Sequence, residues 1–208
     1  MRTTLRVVGE LLLTSGVLLL FFVAYVLWGT GDRTAEAQDR LGRKFAARPP
    51  LPRERAVDRG EPVGTVTIPR LGASSTFVIV EGAGTAELRD GPGHIPGTAL
   101  PGRRGNFAVA GHRVTYLAPF NRIDELRPGD AIVVTTRVAR YTYRMTGHRV
   151  VTPDHTELIA PVPGHAGARP KDRYITLISC HPKFSAAQRY VVLGRLDRVS
   201  ARPDREGR

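Results

Sequence analysis

Apolar positions along this 208-residue chain fall into two regimes that meet near residue 60. In the first, Leu11–Trp28 (LLLTSGVLLLFFVAYVLW) is an uncharged run of 18 residues, extendable back to Val7 with Glu10 near an interface. A helix needs about 20 apolar residues to cross the hydrocarbon of a bilayer. Tyr25 and Trp28 stand where an aromatic belt forms. The run predicts a transmembrane helix over 7–28, after a short N-terminus of 1–6. A soluble core helix would keep a polar face. A secretory signal core is shorter, about 7–15 residues, although Ala35-Glu36-Ala37 offers an A-x-A cleavage site. The pattern therefore reads as an uncleaved signal anchor. Residues 29–60 are charged, contain prolines and lack apolar periodicity. They predict a stalk with a flexible reach of roughly 30 Å, holding the following domain off the membrane. Within it, Arg33–Lys44 is the part that can instead form a short helix.

From Glu61 onward the pattern changes to short apolar runs broken by Gly and Pro. Strands are expected at Val63–Ile68, Thr76–Val80, Asn106–Ala110, Ala131–Val138, Tyr141–Val151, Tyr174–Cys180 and Tyr190–Val199. Helical turns are expected at Thr85–Asp90, Leu117–Glu125 and Asp154–Ile159. Closely spaced strands with such turns predict a mainly β domain over 61–199, a barrel or a sandwich. A polar tail over 200–208 follows, and no internal repeat is visible.

Composition narrows the function classes. An apolar share of 41% supports a real core, and 31 Lys and Arg against 19 Asp and Glu give a formal charge of +12. Such a balance suits an anionic membrane surface, an anionic wall polymer or nucleic acid, and arginine-rich coding in a GC-rich genome produces it equally. The apolar run, and the lack of interleaved aromatic and basic patches, argue against nucleic acid. A single cysteine excludes an intramolecular disulfide and any CxxC metal or redox site. Asp124, Glu125 and Asp130 cluster in a turn that they cap and solvate, so neither a metal nor a cofactor is expected. Orientation stays open on Lys and Arg counting: Arg2 and Arg6 precede the apolar run, while Arg33, Arg40, Arg43 and Lys44 follow it among Asp32, Glu36 and Asp39.

The lone cysteine lies in Ile175-Thr176-Leu177-Ile178-Ser179-Cys180-His181-Pro182. Residues 173–180 read as a buried strand stopped by Pro182, with Thr176, Ile178 and Cys180 on one face and Cys180 at the end. If the run from Tyr190 pairs with it as an antiparallel hairpin, Arg189 returns beside Cys180. A cation there favours the thiolate and can hold an oxyanion. A lone cysteine is equally at home as a structural core residue. A nucleophile needs a base or ion-pair partner near in space, and there are six histidines. His181 points away from the thiol in an extended chain. His148 sits in a charged strand, His155 and His165 in Pro/Gly loops, and His94 in the turn-rich Gly91–Gly97. His112 ends an apolar strand, as Cys180 ends its own; a satisfied structural histidine is the alternative.

Thr176-Leu177-Ile178-Ser179-Cys180 resembles the TLxTC strand of sortases, the cysteine transpeptidases of Gram-positive cell surfaces, with Ser179 where the family usually has threonine. Ala110-Gly111-His112-Arg113 resembles the end of their histidine strand, and Arg189 stands where their arginine follows the cysteine. The segment Gly97–Gly102 with Gly105-Asn106 resembles the approach to that histidine. Cys180–Ser185, His112–Tyr116 and Ala118-Pro119-Phe120 look most like class E sortases of high-GC actinobacteria. The resemblance covers about residues 61–199. It implies an eight-stranded sortase-type β-barrel with short helices, outside the cell, on a single-pass anchor whose N-terminus is cytoplasmic. It also implies a chemistry. Cys180 attacks the Thr–Gly carbonyl of an LAxTG/LPxTG-type sorting signal on a surface protein, with His112 as imidazolium acid and Arg189 on the substrate backbone or oxyanion. A lipid II-like peptidoglycan precursor supplies the accepting amine. Tyr116 resembles the class E specificity tyrosine, and Thr176, Ile178 and Ser179 are expected to join it in binding substrate. Ile178 and Val191 fit the core as well as a groove. Two alternatives remain. One is a pilin-polymerising sortase, whose Asp-Pro lid is missing from 29–60; the other is a non-catalytic membrane-anchored binding barrel with a structural Cys180.

Overall fold

A computed structural model describes residues 2–47, 49, 57–72 and 75–201, so the expected tail beyond Ala201 and the stalk segment 51–56 lie outside the described residues. Eight strands form: β1 (Pro62–Thr67), β2 (Thr76–Glu81), β3 (Gly93–His94), β4 (Gly105–Ala110), β5 (Ala131–Thr135), β6 (Ala139–Val151), β7 (Arg173–His181) and β8 (Gln188–Ala201). They close into a barrel in the order β1-β2-β3-β4-β7-β8-β6-β5, and antiparallel pairing of β1 with β5 shuts the ring. Only β2 with β3 and β4 with β7 run parallel.

Alternation decides which side chains enter the barrel. Phe107 and Val109 of β4, Ile132 and Val134 of β5, Tyr143 of β6, Ile175 and Leu177 of β7 and Val192 of β8 are all buried in one core. The Tyr143 hydroxyl accepts the Gly102 N–H at 2.9 Å. Burial pushes its pKa well up, so the phenol stays neutral.

Seven strands occupy the expected runs. The run Ala131–Val138 stops early, at Thr135, because Thr136 N–H donates to Ala139 O at 2.9 Å and turns the chain into β6. β3 is the strand that periodicity missed, being two residues inside an apparent loop. A buried polar chain holds it. His94 Nδ1 meets Glu81 Oε2 at 2.6 Å and its Nε2 meets Thr98 Oγ1 at 2.9 Å, while its ring stacks on Phe107 at 5.1 Å. A short helix α3 (Thr85–Asp90) links β2 to β3.

Ahead of the barrel, an α-helix α1 (Arg2–Ala24) has no buried residue and is long and apolar enough, by length and composition, to cross a membrane. A π-helical turn, Tyr25–Gly29, leads directly into α2 (Thr30–Ala47). Of the two expectations for the residues after 29, a flexible stalk or a short helix over Arg33–Lys44, it is a helix that forms, and it is longer than expected. Thr34, Ala37, Leu41 and Phe45 form one buried face of α2, at helical spacing. Two of the four are small or polar, which hid the stripe from a reading of apolar periodicity. Leu41 packs on Val78 and Val80. Gln38 completes the contact: its Nε2 donates to Val78 O (3.1 Å) and Asp90 O (2.7 Å), and its Oε1 accepts Val78 N–H at 2.7 Å. The helix runs the length of the barrel wall. Tyr116 N–H, just past the β4 exit, donates to Thr30 Oγ1. At the other end Lys44 pairs with Glu61 before β1, and Arg137 of the β5–β6 turn lies 6.0 Å over the Phe45 ring.

This packing makes α2 part of the folded domain. Leu41→Ala is expected to cost about 2–3 kcal/mol through lost burial and a cavity, and Gln38→Ala about 1–3 kcal/mol through unsatisfied backbone groups. Thermal denaturation of the full chain in detergent checks both; unchanged midpoints would return residues 30–47 to the status of a tether.

Candidate functional site

Cys180 sits at the penultimate position of β7, and the antiparallel register with β8 puts Arg189 directly across from it. On its other side β7 pairs with β4 in parallel, Ala110 opposite Ile178. The ladder continues past the end of β4, because Gly111 N–H donates to Ile178 O at 3.0 Å. His112 is the next residue, so two strand pairings carry His112 and Arg189 to the same end of β7 as Cys180. All three line one groove of ≈ 360 Å³, together with Ile178, Ser179 and Val191.

Local contacts fix each member. The Ser179 hydroxyl, 2% exposed, donates to Gly111 O at 2.8 Å, tying the cysteine strand to the histidine segment. Gly111 has no room for a side chain, since a Cβ there would lie 2.6 Å from the Phe120 ring. The Arg189 guanidinium donates to Ala186 O (2.9 Å) and Gln188 O (3.0 Å), holding it back over its own turn. His112 lies 4.7 Å from the Tyr116 ring, centroid to centroid and tilted 41°. Burial disfavours the imidazolium and lowers its pKa from the ordinary 6.5.

A residue without an assigned role in the sequence reading turns out to organise this end of the barrel. Arg113 is 3% exposed. Its guanidinium donates to Asn121 O at 2.8 Å and to Cys180 O at 3.3 Å. It also pairs with Asp124 at 2.9 Å and lies 5.5 Å over the Tyr190 ring. Arginine suits such a node because its planar fork stays charged and donates in several directions. Asp124 is thus a buried cation's counter-charge rather than a solvated cap. Its neighbour Glu125 pairs with Arg122, and Asp130 with Arg70. The signal available beforehand was weak: one more arginine, directly after the histidine.

Other expected residues separate. Ile178 and Val191 line the groove. Thr176 does not reach it. That side chain is fully buried on the outer face of β7, its hydroxyl donating to Asn106 Oδ1 at 2.9 Å, beneath the 3₁₀ turn Thr156–Ile159. Placing Thr176 with Cys180 on one face was correct, but the crossover before β7 covers that face at Thr176 and leaves it open at Cys180. Tyr116 reaches the site through the His112 ring. It belongs to a left-handed turn, with φ of 55°, 59° and 44° at Tyr116, Leu117 and Ala118. His155, expected on a surface loop, stands on the groove wall, where its hydrogen bond with Glu157 raises its pKa. His181 and His148 both pack on Tyr190. A larger cavity of ≈ 860 Å³ opens at the opposite end of the barrel, lined by Arg103, Arg104, Arg137 and Arg173, with no cysteine or histidine among its lining residues. Among the described residues, no group of His, Cys, Asp or Glu is placed to hold a metal ion.

Two outcomes are expected from this geometry. In an NMR titration, the His112 midpoint falls below 6.5 and that of His155 above it. The unfolded chain then binds the His112 proton first, so its stabilising contribution declines as pH drops through 6.5 and levels off below the folded midpoint. Separately, Arg113→Ala is expected to cost about 1.5–3 kcal/mol by removing charged hydrogen bonds from buried carbonyls. Asp124→Asn should cost less than about 1 kcal/mol because that carboxylate is half in solvent. Denaturation of the two variants checks the order, and equal costs would remove Arg113 from the centre of the network.

Comparison with known proteins agrees with this arrangement. A family model for the sortase domain matches residues 66–197. The chain is 35% identical to sortase SrtE1 of Streptomyces coelicolor over 98% of its own length, spanning 59% of that relative. It is 32% identical to sortase SrtE2 of the same organism over 93% of its length, spanning 82% of that protein. The solved structure of sortase E from Streptomyces avermitilis is 38% identical, with a TM-score of 0.64 over 71% of this chain and 98% of that one. A barrel with its cysteine and histidine delivered by neighbouring parallel strands, matched over most of its length, belongs to the sortase family of cysteine transpeptidases, and its relatives include class E sortases.

Proposed function

We propose that this chain is a membrane-anchored sortase of class E type, joining surface proteins to the cell wall. It cleaves an LAxTG/LPxTG-type sorting signal between Thr and Gly. The observation that carries the reading is the meeting of Cys180, His112 and Arg189 on one groove, through two strand registers.

In the proposed reaction the Cys180 thiolate attacks the threonine carbonyl carbon, and the oxygen becomes an oxyanion that the Arg189 cation stabilises. The tetrahedral species collapses, the C–N bond to glycine breaks, and His112 as imidazolium gives its proton to the departing amine. A thioester remains on Cys180. The amine of a lipid II-like peptidoglycan precursor then attacks it, His112 takes up the proton, and the thiolate leaves. Burial of His112 disfavours its imidazolium, so the proton-donating form is the minor one before substrate arrives. Ile178 and Ser179 flank the thiol on the groove, and Tyr116 sets the His112 ring; these are the residues proposed to meet the sorting signal.

The anchoring part of the proposal rests on α1, with its N-terminus in the cytoplasm and the barrel outside. Ala37, in the A-x-A site that follows the apolar run, is buried in the α2 contact, which supports an uncleaved anchor. Residues 7–28 serve as the span, 61–199 as the catalytic domain, and α2 belongs with the latter.

The test is to incubate the full chain in detergent with quenched LAxTG and LPxTG peptides and an amine acceptor, following cleavage and transfer by mass spectrometry. Transfer is expected to vanish in Cys180→Ala, to fall about 10²–10⁴-fold in His112→Ala and about 10²–10³-fold in Arg189→Ala. The acid limb of kcat/KM is expected below pH 6.5, following the lowered His112 pKa. A folded chain forming no acyl-enzyme at Cys180 with any sorting peptide would refute the proposal.

A further inference from the structure

The splint made by α2 also fixes which end of the barrel faces the membrane. Its first turn is joined to the loop after β4, through Tyr116 N–H to Thr30 Oγ1 at 3.4 Å. A side chain at Gly31 would come within 3.6 Å of Leu117 Cδ2. Thr30 lies two residues past the end of the apolar run at Trp28, about 3 Å at helical rise. Its last turn meets the opposite end of the barrel, by Lys44 with Glu61 and Phe45 with Arg137, up to about 27 Å further along an 18-residue helix. The Cys180 end is therefore held at the level where α1 leaves the bilayer, whatever the angle at the π-helical turn.

That end also presents apolar side chains to solvent. Phe184 is 80% exposed and has a φ of 66°, a left-handed conformation unfavourable for a bulky residue. It belongs to the β7–β8 turn, which projects beyond Cys180. Leu117 is 42% exposed and occupies the left-handed turn that touches α2. The two loops are tied together by Lys183 Nζ donating to Asn121 Oδ1 at 3.0 Å. An exposed aromatic beside a lysine, one loop away from a membrane helix, is the chemistry of an interfacial contact.

We infer that the Cys180 end of the barrel rests on the surface of the bilayer that α1 crosses, with Phe184 and Leu117 as its contacts with the lipid interface. This builds on the anchoring reading above. It puts the groove at headgroup level, where a lipid-linked amine and a membrane-tethered sorting signal are both within reach. The competing arrangement turns the arginine-lined cavity at the opposite end toward anionic lipid.

Depth measurement separates these arrangements. The full chain, with Trp28→Phe removing its single tryptophan, is reconstituted into phosphatidylcholine–phosphatidylglycerol vesicles containing lipids brominated at defined depths. Single reporters are introduced as Leu18→Trp in α1, Phe184→Trp and Leu117→Trp at the Cys180 end, and Val199→Trp beside the far cavity. Leu18→Trp is expected to be quenched by deep bromines. Phe184→Trp and Leu117→Trp should be quenched by shallow bromines, at least about twofold more than Val199→Trp, as interfacial aromatics are. Quenching of Leu18→Trp without quenching at 184 or 117, or stronger quenching at 199, would overturn the inference and leave the anchor intact. No quenching at Leu18→Trp would overturn the anchor and the inference with it.

Discussion

Hydrogen bonding of β7 on both of its edges is the constraint from which the site follows. With β4 parallel on one side and β8 antiparallel on the other, the residue at the end of β7 acquires two fixed neighbours. A one-residue slip on either side would turn the facing side chain to the other surface of the sheet. The register is secured by the inward residues Phe107, Val109, Ile175, Leu177 and Val192, all essentially excluded from water. The apolar core thereby sets a polar geometry, holding a thiol, an imidazole and a guanidinium together by backbone pairing.

Beyond the ends of the strands the ladder no longer constrains the chain, and side-chain bonds take over. Ser179 to Gly111 O continues the β4–β7 contact by one step. Arg113 gathers Cys180 O, Asn121 O and Asp124 around one buried cation. Burying such a charge is costly unless its donors are met, and here partners surround it. The consequence is a loop, residues 113–124, whose conformation is coupled to the position of the cysteine backbone. The left-handed turn at Tyr116–Ala118 lies inside that loop, braced against α2 from outside.

That brace joins the N-terminal helices to the chemistry. Since α2 continues from α1 through a π-helical turn and packs along the barrel wall, the barrel has a defined polarity with respect to α1. A flexible stalk would have let the groove sample many orientations. A packed helix keeps the groove at the end of the barrel beside Thr30.

The alternation of apolar residues was enough to locate seven strands, and the uncharged run enough to locate α1, because both patterns repeat within a window of a few residues. The strand ends carrying Cys180 and His112 were legible for the same reason, and the expected hairpin, with the family resemblance, gave Arg189 its place. What local pattern could not supply were features decided by partners distant in sequence. β3 exists because His94 meets Glu81 and Phe107. The buried face of α2 shows only against Val78 and Val80, and Thr176 is lost to the groove because residues 156–159 fold over it. Arg113 reads as one more surface charge until Asp124, Tyr190 and Cys180 O are brought around it. The sequence by itself determined seven strands, α1 and the chemistry of their ends, since these depend on local periodicity and side-chain type. Only the tertiary structure decided which polar groups are buried together and which end of the barrel lies beside the start of α2, since burial and pairing belong to residues far apart along the chain.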